Sequence, residues 1–352
     1  MTTDEKYIRR CIQLAKNGLV NAAPNPMVGA VIVHQGKIIG EGYHARCGEG
    51  HAEVNAVRAV KDKELLKDST LYVSLEPCSH YGKTPPCADM IVSKGIPRVV
   101  VGCIDPFSKV SGRGIRKLRD AGIEVKVGVL EAECQALIRR FVVFNTERRP
   151  YVTLKWAQSA DGFIDINRTE GAPVVLSTPV TAVYVHKQRA EHKAILVGRR
   201  TARLDNPSLT VRHWYGKNPL RLVVDRALEL PESLRLLDGS TPTVVFTALQ
   251  RPSREGLEFV TLDFGRDILP QIMDELFRRN IQSLLVEGGT QLLQSFIDGG
   301  LWDEIYLEHA SAVLGEGVKA PLVPAGHPAS YGWRDGVAVA HYTRGAGKVQ
   351  AE

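Results

Sequence analysis

The sequence predicts an α/β protein of two domains, the first of them a three-layer α/β/α sandwich. At 352 residues the chain is long for one domain and comfortable for two. In its first part, short apolar strands alternate with amphipathic helices, and elements of this size pack as helices on both faces of a sheet. Glu147-Arg148-Arg149-Pro150 is a polar segment that ends in proline. We therefore predict domains at residues 1–147 and 148–352.

Strands and helices are predicted to alternate along the whole first domain. Apolar residues recur at helical spacing after residue 5, and Gly18 ends this helix. Gln35-Gly36 turns one apolar strand back into the next, which makes a hairpin. The predicted elements are helix 5–19, strands 28–33 and 37–43, a helix that begins at His51, strand 70–75, helix 88–94, strand 98–103, helix 114–121 and strand 124–129.

The second domain is also predicted to be α/β. No Gly-x-Gly-x-x-Gly sequence follows a predicted strand, so a Rossmann dinucleotide fold is not supported. Gly288-Gly289-Thr290 lies between a strand and a helix, a position that favours an anion, although simple turn geometry is the alternative. The predicted elements are strand 151–156, a turn at 157–162, helix 179–188, strand 194–197, a loop at 201–212, strands 219–225 and 243–247, helix 269–278, strand 283–286, helix 291–297 and strand 304–308.

His51, Cys78 and Cys87 are the candidate metal ligands. One imidazole and two thiols suit a tetrahedral zinc whose fourth position is taken by water. Glu53 follows His51 at the start of a helix, where both side chains can face one pocket. Zinc lowers the pKa of bound water to about 7, and a neighbouring Glu that does not bind the metal carries protons. The pattern predicts a single catalytic zinc with Glu53 as the acid/base.

Two other interpretations of this group remain open. A structural zinc normally has four protein ligands, and His80 is close enough to Cys78 in sequence to be the fourth. The three residues can also be a chance grouping without a metal. The presence of Glu53 favours catalysis, because a structural site has no need of an acid/base.

Composition restricts the class of partner. The net charge of +6 suits a small phosphorylated molecule and is too low to indicate nucleic acid by itself. Six cysteines are widely spread without the spacing of a disulfide framework, so we expect a reducing cytoplasm. No run of about 18 apolar residues indicates a membrane helix, and the N-terminus lacks the order of a signal peptide.

The first half resembles the deaminase half of the bifunctional riboflavin-biosynthesis deaminase–reductase family. Eight residues separate the two cysteines, a wider spacing than in cytidine and tRNA-adenosine deaminases. The resemblance is carried by Asn25-Pro26-x-Val28-Gly29, His51-Ala52-Glu53 and Glu76-Pro77-Cys78-Ser79-His80-x-Gly82-x-Thr84-Pro85-Pro86-Cys87.

This resemblance implies a cytidine-deaminase-like fold and hydrolytic deamination of 2,5-diamino-6-(5-phosphoribosylamino)pyrimidin-4(3H)-one. His51, Cys78 and Cys87 then hold one Zn²⁺ per chain, and Glu53 is the proton donor. Asn25 is expected to contact the pyrimidine, because an amide both donates and accepts hydrogen bonds; an Asx turn before a proline is the alternative. Weaker candidates are His44, His80, Lys83 and Lys109.

The second half resembles the reductase half of the same family, whose fold is similar to dihydrofolate reductase. The motifs are Leu154-Lys155-x-x-x-Ser159-x-Asp161-Gly162, Thr201-x-x-x-Asp205-Asn206-Pro207-x-Leu209-Thr210-x-Arg212 and Glu287-Gly288-Gly289-Thr290. The resemblance implies NADPH-dependent reduction of the ribosyl group to ribityl, giving 5-amino-6-(5-phosphoribitylamino)uracil. It implies cofactor contacts at Ala157, Thr201, Asp205 and Gly289, and substrate contacts at Lys155, Arg189, Leu209, Arg212 and Glu287.

The second half also departs from the family pattern. Pro173-Val174-Val175 stands where a Ser-x-Trp sequence is common, so a usual substrate-binding serine and an aromatic cofactor contact are missing. Arg199 and Arg200 form a basic pair near the expected cofactor. They either meet the 2′-phosphate of NADP or are solvated charges, and we favour solvation. Asp161 is either a site residue or a turn former.

Two rival functions and the state of assembly complete the expectations. A nucleic-acid base deaminase with an unrelated C-terminal domain calls for a basic, aromatic-lined channel, and few aromatic residues lie near the first motif. A zinc-bearing RNA-binding or scaffold protein could lose Glu53 without losing zinc, so the intact Glu53 argues against it. We expect a small phosphorylated pyrimidine as partner, no nucleic acid or membrane, and a homo-oligomer.

Overall fold

The computed structural model describes residues 1–79, 81, 85–105 and 112–344. The chain divides into two compact units, and the second begins at Arg149. Among the described residues, none of the helices has the length and apolar composition needed to cross a bilayer.

The first unit contains one sheet and the helices that cover it. Short 3₁₀ turns follow the first helix and precede the third strand. The elements are α1 (Thr3–Ala15), β1 (Gly29–His34), β2 (Lys37–Tyr43), α2 (Ala52–Ala59), β3 (Ser69–Leu75), α3 (Cys87–Ser93), β4 (Arg98–Cys103), α4 (Arg113–Asp120), β5 (Glu124–Val127) and α5 (Glu131–Thr146).

Alternating side chains along the strands divide the first unit into layers. The strand order is β2-β1-β3-β4-β5, with β1 antiparallel to both neighbours and β3, β4 and β5 parallel. Ala30 and Ile32 pack with α2, α3 and α4, whereas Val31 and Val33 pack with α1 and α5. Since successive strand residues face opposite sides of a sheet, this confirms the predicted three-layer α/β/α sandwich.

Glycines in β2 allow α2 to lie directly against the sheet. A Cβ atom at Gly42 would lie 2.4 Å from the backbone nitrogen of Ala56, and one at Gly40 would lie 2.4 Å from the carbonyl oxygen of the same residue. Contacts this short exclude any side chain at either position. The close packing places the first turn of α2, with His51 as its N-cap, beside the carboxyl end of the hairpin.

A buried carboxylate ties α1 to the sheet. Asp4 accepts hydrogen bonds from Arg98, from Lys126 at 2.7 Å and from the Tyr72 hydroxyl at 3.1 Å. Burial alone would raise the pKa of Asp4, but these three donors outweigh it and hold the pKa at about 2, below the ordinary value of 3.8. The contact therefore stabilises the first unit fully above pH 3.8 and is lost as the pH falls through about 2.

Asp4→Asn is expected to destabilise the first unit at pH 7 by about 1 to 2 kcal/mol. We keep this value low because Lys126 is half-exposed, and solvent screens its interaction with the carboxylate. The difference from the wild type should shrink below about pH 3, where the wild-type carboxylate also protonates. Urea unfolding followed by circular dichroism at a series of pH values measures this. Asp68→Asn, at an exposed position, is the matched control, and equal destabilisation at pH 7 and pH 2 would contradict the assignment.

The second unit is built on a larger mixed sheet. Helices separate several of its strands, whereas three strands follow one another between residues 220 and 261, and only strands follow the last described helix. The elements are β6 (Tyr151–Gln158), β7 (Phe163–Asp165), α6 (Pro179–Glu191), β8 (Ala194–Gly198), α7 (Arg199–Asp205), β9 (Leu220–Val224), β10 (Thr243–Thr247), β11 (Leu257–Thr261), α8 (Ile268–Arg278), β12 (Ser283–Gly288), α9 (Thr290–Asp298), β13 (Glu304–His309), β14 (Val318–Lys319), β15 (Ser330–Arg334) and β16 (Val337–Thr343).

The sheet of the second unit is parallel in its centre and antiparallel at one edge. The order is β11-β10-β9-β8-β12-β6-β13-β16-β15; the strands from β11 to β13 are parallel, and β16 is antiparallel to both β13 and β15. One face packs against α8 and α9, and the other carries α7 with the segment 228–237. The central strands are buried on both sides, as parallel strands must be, and the α/β class predicted for this half is confirmed.

Several elements differ from the expectations, each for a local reason. Helix α5 is not predicted, because its apolar residues lie on more than one side and give no clear period. Helix α7 occupies part of the predicted loop 201–212. The helix is not predicted because it contains three arginines and an aspartate and has one buried residue, Ala202, so its sequence shows no apolar period. Strand β6 continues through Gln158, into the predicted turn. Strands β7, β11, β14, β15 and β16 are also not predicted.

Two candidate active sites

The predicted metal ligands meet in the first unit. The Nδ1 atom of His51 lies 3.5 Å from the Cys78 sulfur and 3.3 Å from the Cys87 sulfur. All three ligand atoms lie within 4.8 Å of one another. A tetrahedral zinc with ordinary Zn–N and Zn–S distances needs a nitrogen–sulfur separation of about 3.6 Å. The residues therefore fit zinc without rearrangement.

Each ligand is placed by the end of a regular element. His51 is the N-cap of α2, Cys87 begins α3, and Cys78 follows β3 after Glu76-Pro77. The backbone N–H of Cys87 donates to the Cys78 sulfur at 3.3 Å. Hydrogen bonds from Cys87 and His51 lower the pKa of the Cys78 thiol to about 4. Cys78 thus favours the thiolate, which is the form that binds a metal, whereas the Cys78 sulfur raises the pKa of the neighbouring Cys87 thiol.

Glu53 lies beside these ligands in the first turn of α2. Its side chain is only 3% exposed. Burial, reinforced by the neighbouring Cys78 sulfur, raises the pKa of Glu53 to about 7. A carboxyl group that changes its protonation state near neutral pH suits a residue that first takes and then gives a proton.

Asn25 is held in one orientation by His44. The Nδ1 atom of His44 donates to the carbonyl oxygen of Gly50 at 3.2 Å, so its Nε2 atom accepts from the Asn25 amide at 3.0 Å. His44 is buried, and burial lowers its pKa. The His44 ring meets the His51 ring edge-on, at 5.4 Å between centroids. Asn25 is thereby bonded to a ring that contacts the predicted metal ligand His51. His80, Lys83 and Lys109 lie outside the described residues.

Glu76 is a positioning residue that sequence reasoning left without a role. It is 4% exposed, and its carboxylate accepts backbone N–H groups at the start of α4 and after β4. A buried carboxylate at a helix N-terminus is stabilised by the helix dipole as well as by these bonds. The signal was its place directly before Pro77-Cys78. The donors are Asp105 (3.3 Å), Gly112 (2.9 Å), Gly114 (2.9 Å) and Ile115 (3.3 Å).

The second unit contains a cavity of about 1070 Å³. It lies at the carboxyl ends of β6, β8, β9 and β12, where open α/β sheets bind their ligands. The volume is sufficient for a dinucleotide and a second small molecule. Eight of the predicted residues line it: Lys155, Ala157, Arg189, Thr201, Asp205, Arg212, Glu287 and Gly289.

Leu209 is the predicted substrate contact in this unit that does not line the cavity. Its side chain is 2% exposed and packs in the core with Val223 and Leu230. Its backbone has a positive φ of 53°. Leu209 as a whole is therefore buried in the core and does not reach the cavity lining.

One predicted cofactor contact, Asp205, is paired with a buried arginine that sequence reasoning missed. Arg168 pairs with Asp205 and with Asp165, and donates to the carbonyl oxygens of Gly171 and Leu204. Burial raises the pKa of Asp205, which the Arg168 guanidinium opposes. Arg168 thereby fixes the end of α7 against the wall of the cavity.

The predicted substrate contacts form a second cluster in the cavity. Arg189 makes a bidentate ion pair with Glu287, at 2.9 and 2.6 Å. Arg212 is exposed and donates to the Thr210 hydroxyl at 3.3 Å. Its backbone N–H donates to Nδ1 of His186, which lines the cavity. Burial, together with Arg189 and Arg212, lowers the pKa of His186 to about 4. Arg212 is therefore the more available cation of the two.

The structure gives the positions of three features whose role the sequence leaves open. Asp161 accepts hydrogen bonds from Ser159 and from the backbone of Leu314 and Gly315, so it organises a turn. The segment 173–175, which departs from the family pattern, lines the cavity. Arg199 pairs with Glu229, and both Arg199 and Arg200 are exposed at the cavity rim.

Comparisons with known proteins cover both units. The family model of the RibD C-terminal domain matches residues 150–335, and that of the cytidine and deoxycytidylate deaminase zinc-binding region matches residues 1–103. The riboflavin biosynthesis protein RibD of Aquifex aeolicus is 41% identical over 324 residues, which cover 90% of this chain and 89% of the relative. RibD of Escherichia coli is 36% identical over 335 residues, 90% of each chain.

Solved structures agree with these relatives. The diaminohydroxyphosphoribosylaminopyrimidine deaminase/5-amino-6-(5-phosphoribosylamino)uracil reductase of Thermotoga maritima matches with a TM-score of 0.86 at 36% identity, over 96% of this chain and 98% of the other. Acinetobacter baumannii RibD matches with a TM-score of 0.84 at 30% identity, over 97% and 98%. An unrelated C-terminal domain, as the base-deaminase alternative required, is thereby not favoured. The chain belongs to the RibD family of riboflavin-biosynthesis proteins, bifunctional enzymes that combine a pyrimidine deaminase with a reductase.

Proposed function

We propose that the two reactions are divided between the two units. Residues 1–147 deaminate 2,5-diamino-6-(5-phosphoribosylamino)pyrimidin-4(3H)-one with zinc, and residues 148–352 reduce the deaminated product to 5-amino-6-(5-phosphoribitylamino)uracil with NADPH. The observation that carries the first assignment is the buried Glu53 beside the His51, Cys78 and Cys87 cluster. The cavity at the strand ends of the second unit supports the other.

In the deaminase, each residue has one task. Zinc held by His51, Cys78 and Cys87 acidifies water when it is bound there. Glu53 takes the proton released from the attacking water and gives it to the departing amine, for which a pKa near 7 is suited. Asn25 accepts a hydrogen bond from the pyrimidine, since His44 already receives its N–H.

In the reductase, the cavity separates cofactor from substrate contacts. Ala157, Thr201 and Asp205 hold NADPH, which supplies the hydride, and Gly289 meets its pyrophosphate at the N-terminus of α9. Lys155 polarises the carbonyl of the opened ribose. The remaining proposed substrate contacts are Arg189, Arg212 and Glu287, which line the cavity, and Leu209, which does not.

We further propose that the enzyme is a cytoplasmic homo-oligomer that uses neither nucleic acid nor a membrane. The cysteines of the described chain are all free thiols, in keeping with a reducing compartment. Enzymes of this kind are commonly symmetric oligomers.

The proposed function is tested with purified protein and the diaminopyrimidine phosphate. Ammonia should be released first, and NADPH should then be oxidised in equal molar amount. Oxidation of NADPH without release of ammonia would contradict the proposed assignment of the two reactions. The absence of both reactions would contradict it as well.

Arg212→Ala is expected to raise the reductase KM for the phosphorylated substrate about tenfold, with a smaller change in kcat. Among the described residues, no carboxylate forms an ion pair with the Arg212 guanidinium, and a charge-assisted contact to phosphate contributes about 1.5 to 3 kcal/mol. Initial rates of NADPH oxidation at varied substrate measure the effect. Arg266→Ala, an exposed arginine outside the cavity lining, is the control, and an unchanged KM would remove Arg212 from the site.

A further inference from the structure

Glu308 is a buried carboxylate directly behind the cavity. It is 3% exposed and does not line the cavity, whereas Lys155, on the neighbouring strand, does. The Glu308 carboxylate lies 3.6 Å from the Lys155 ammonium nitrogen. At this distance the two groups form an ion pair, but they are too far apart for a hydrogen bond. The N–H groups of Lys155 therefore remain available to a ligand in the cavity.

Strand pairing places both side chains on the cavity face of the sheet. Strands β6 and β13 are parallel, with Lys155 opposite Tyr306 and Ala157 opposite Glu308. Their neighbours Leu154 and Leu307 point the other way, into the core under α8 and α9. Glu308 therefore lies beside both Lys155 and a predicted cofactor contact, Ala157.

A second contact connects Glu308 to the cavity wall. The Ser177 hydroxyl donates to the Glu308 carboxylate at 2.8 Å. Ser177 lines the cavity and directly precedes Thr178, the N-cap of α6. One carboxylate thus holds the wall segment, the start of α6 and the Lys155 ammonium in a fixed relation.

Stability does not explain this arrangement. Removing two charges from water costs several kcal/mol per ion, and apolar residues of similar volume are often as stable or more stable at such positions. A buried ion pair beside a cavity is better explained if one of its two residues takes part in the chemistry there.

We propose that Glu308 is a positioning residue of the reductase, which acts through Lys155; the inference rests on the proposed function. The carbonyl carbon of the opened ribose receives the hydride, the C–O π bond breaks, and the oxygen takes a proton from the Lys155 ammonium. NADPH becomes NADP⁺, and Lys155 recovers a proton from solvent. Glu308 holds the ammonium in place beside the oxygen, while the other carboxylate of the cavity lining near it, Glu287, is paired with Arg189.

Glu308→Gln tests this, because glutamine keeps the shape and can still accept from Ser177 but carries no charge. We expect the reductase kcat to fall at least tenfold, with KM for NADPH and for substrate within twofold of wild type. The number of NADPH molecules bound per chain, measured by fluorescence titration, should be unchanged. The fall in kcat then cannot come from a smaller fraction of folded sites. Glu275→Gln, in a buried ion pair with Arg279 away from the cavity, should keep the wild-type kcat.

A double-mutant cycle separates positioning from structural support. In a Lys155→Ala background, Glu308→Gln should cause no further loss of kcat, because its effect passes through Lys155. A further tenfold loss there, or a wild-type kcat in the single variant, would overturn the inference. If Glu308→Gln does not fold, Ser177→Ala should still lower kcat severalfold, and an unchanged value would overturn it equally. Absence of NADPH oxidation by the wild type would instead refute the proposed function.

Discussion

Glu53→Gln should lower the kcat for ammonia release from the diaminopyrimidine phosphate by about a thousandfold or more. Glutamine fills the same buried space but cannot accept the proton from water or pass it to the departing amine. The residue does not bind the metal, so the protein should retain one zinc per chain. The measurement is ammonia release in a coupled assay, with zinc determined by atomic absorption on the same sample.

Two controls make this result specific to Glu53. Glu49→Gln carries the same substitution at an exposed position four residues earlier and should behave as wild type. The Glu53→Gln enzyme should still oxidise NADPH when given the deaminated intermediate. Wild-type turnover in Glu53→Gln, or loss of zinc along with activity, would show that Glu53 is not the proton carrier.

Removal of zinc should stop deamination completely and leave reduction of the deaminated intermediate intact. The ligands all lie in the first unit, at the N-terminal ends of α2 and α3 and after β3, whereas the reductase cavity is lined by residues 155–319. Incubation with a chelator, followed by separate assays for ammonia and NADPH oxidation, measures both activities. Zinc added back should restore deamination.

The same experiment distinguishes catalytic from structural zinc. Structural zinc contributes directly to folding, so its removal would unfold the first unit and would be seen by circular dichroism. A catalytic zinc held by three residues of a packed sandwich should leave the secondary structure largely unchanged. Loss of both activities together would contradict independent sites.

The metal cluster was predictable because its ligands mark the ends of local elements. His51 and Glu53 begin a helix, Cys87 begins the next, and Cys78 ends a strand. Parallel strands and the helices that follow them bring such ends to one edge of a sheet. Residue type, spacing and element order were therefore sufficient to identify the group before any coordinates were known.

Elements were predictable where their apolar residues follow one period and less so elsewhere. Strand Lys37–Tyr43 and strand Arg98–Cys103 begin and end where predicted. Helix α7 was taken for a loop because its charges leave no apolar face. The roles of the site residues in the second unit remain predictions, and the structure bears against one of them, because Leu209 is buried in the core and does not line the cavity.

By itself, the sequence determined the α/β class and the family, and it predicted a division near residue 148 and a group of three metal ligands with a carboxylate. Only the tertiary structure decided which charged groups are neighbours. Arg168 reaches Asp205 across 37 positions of sequence, and Ser177 reaches Glu308 across 131. Such pairs depend on strand register and on crossover connections, which bring distant segments together without any local pattern. For that reason the pairing of Lys155 with a buried acid could not be predicted before the sheet was known.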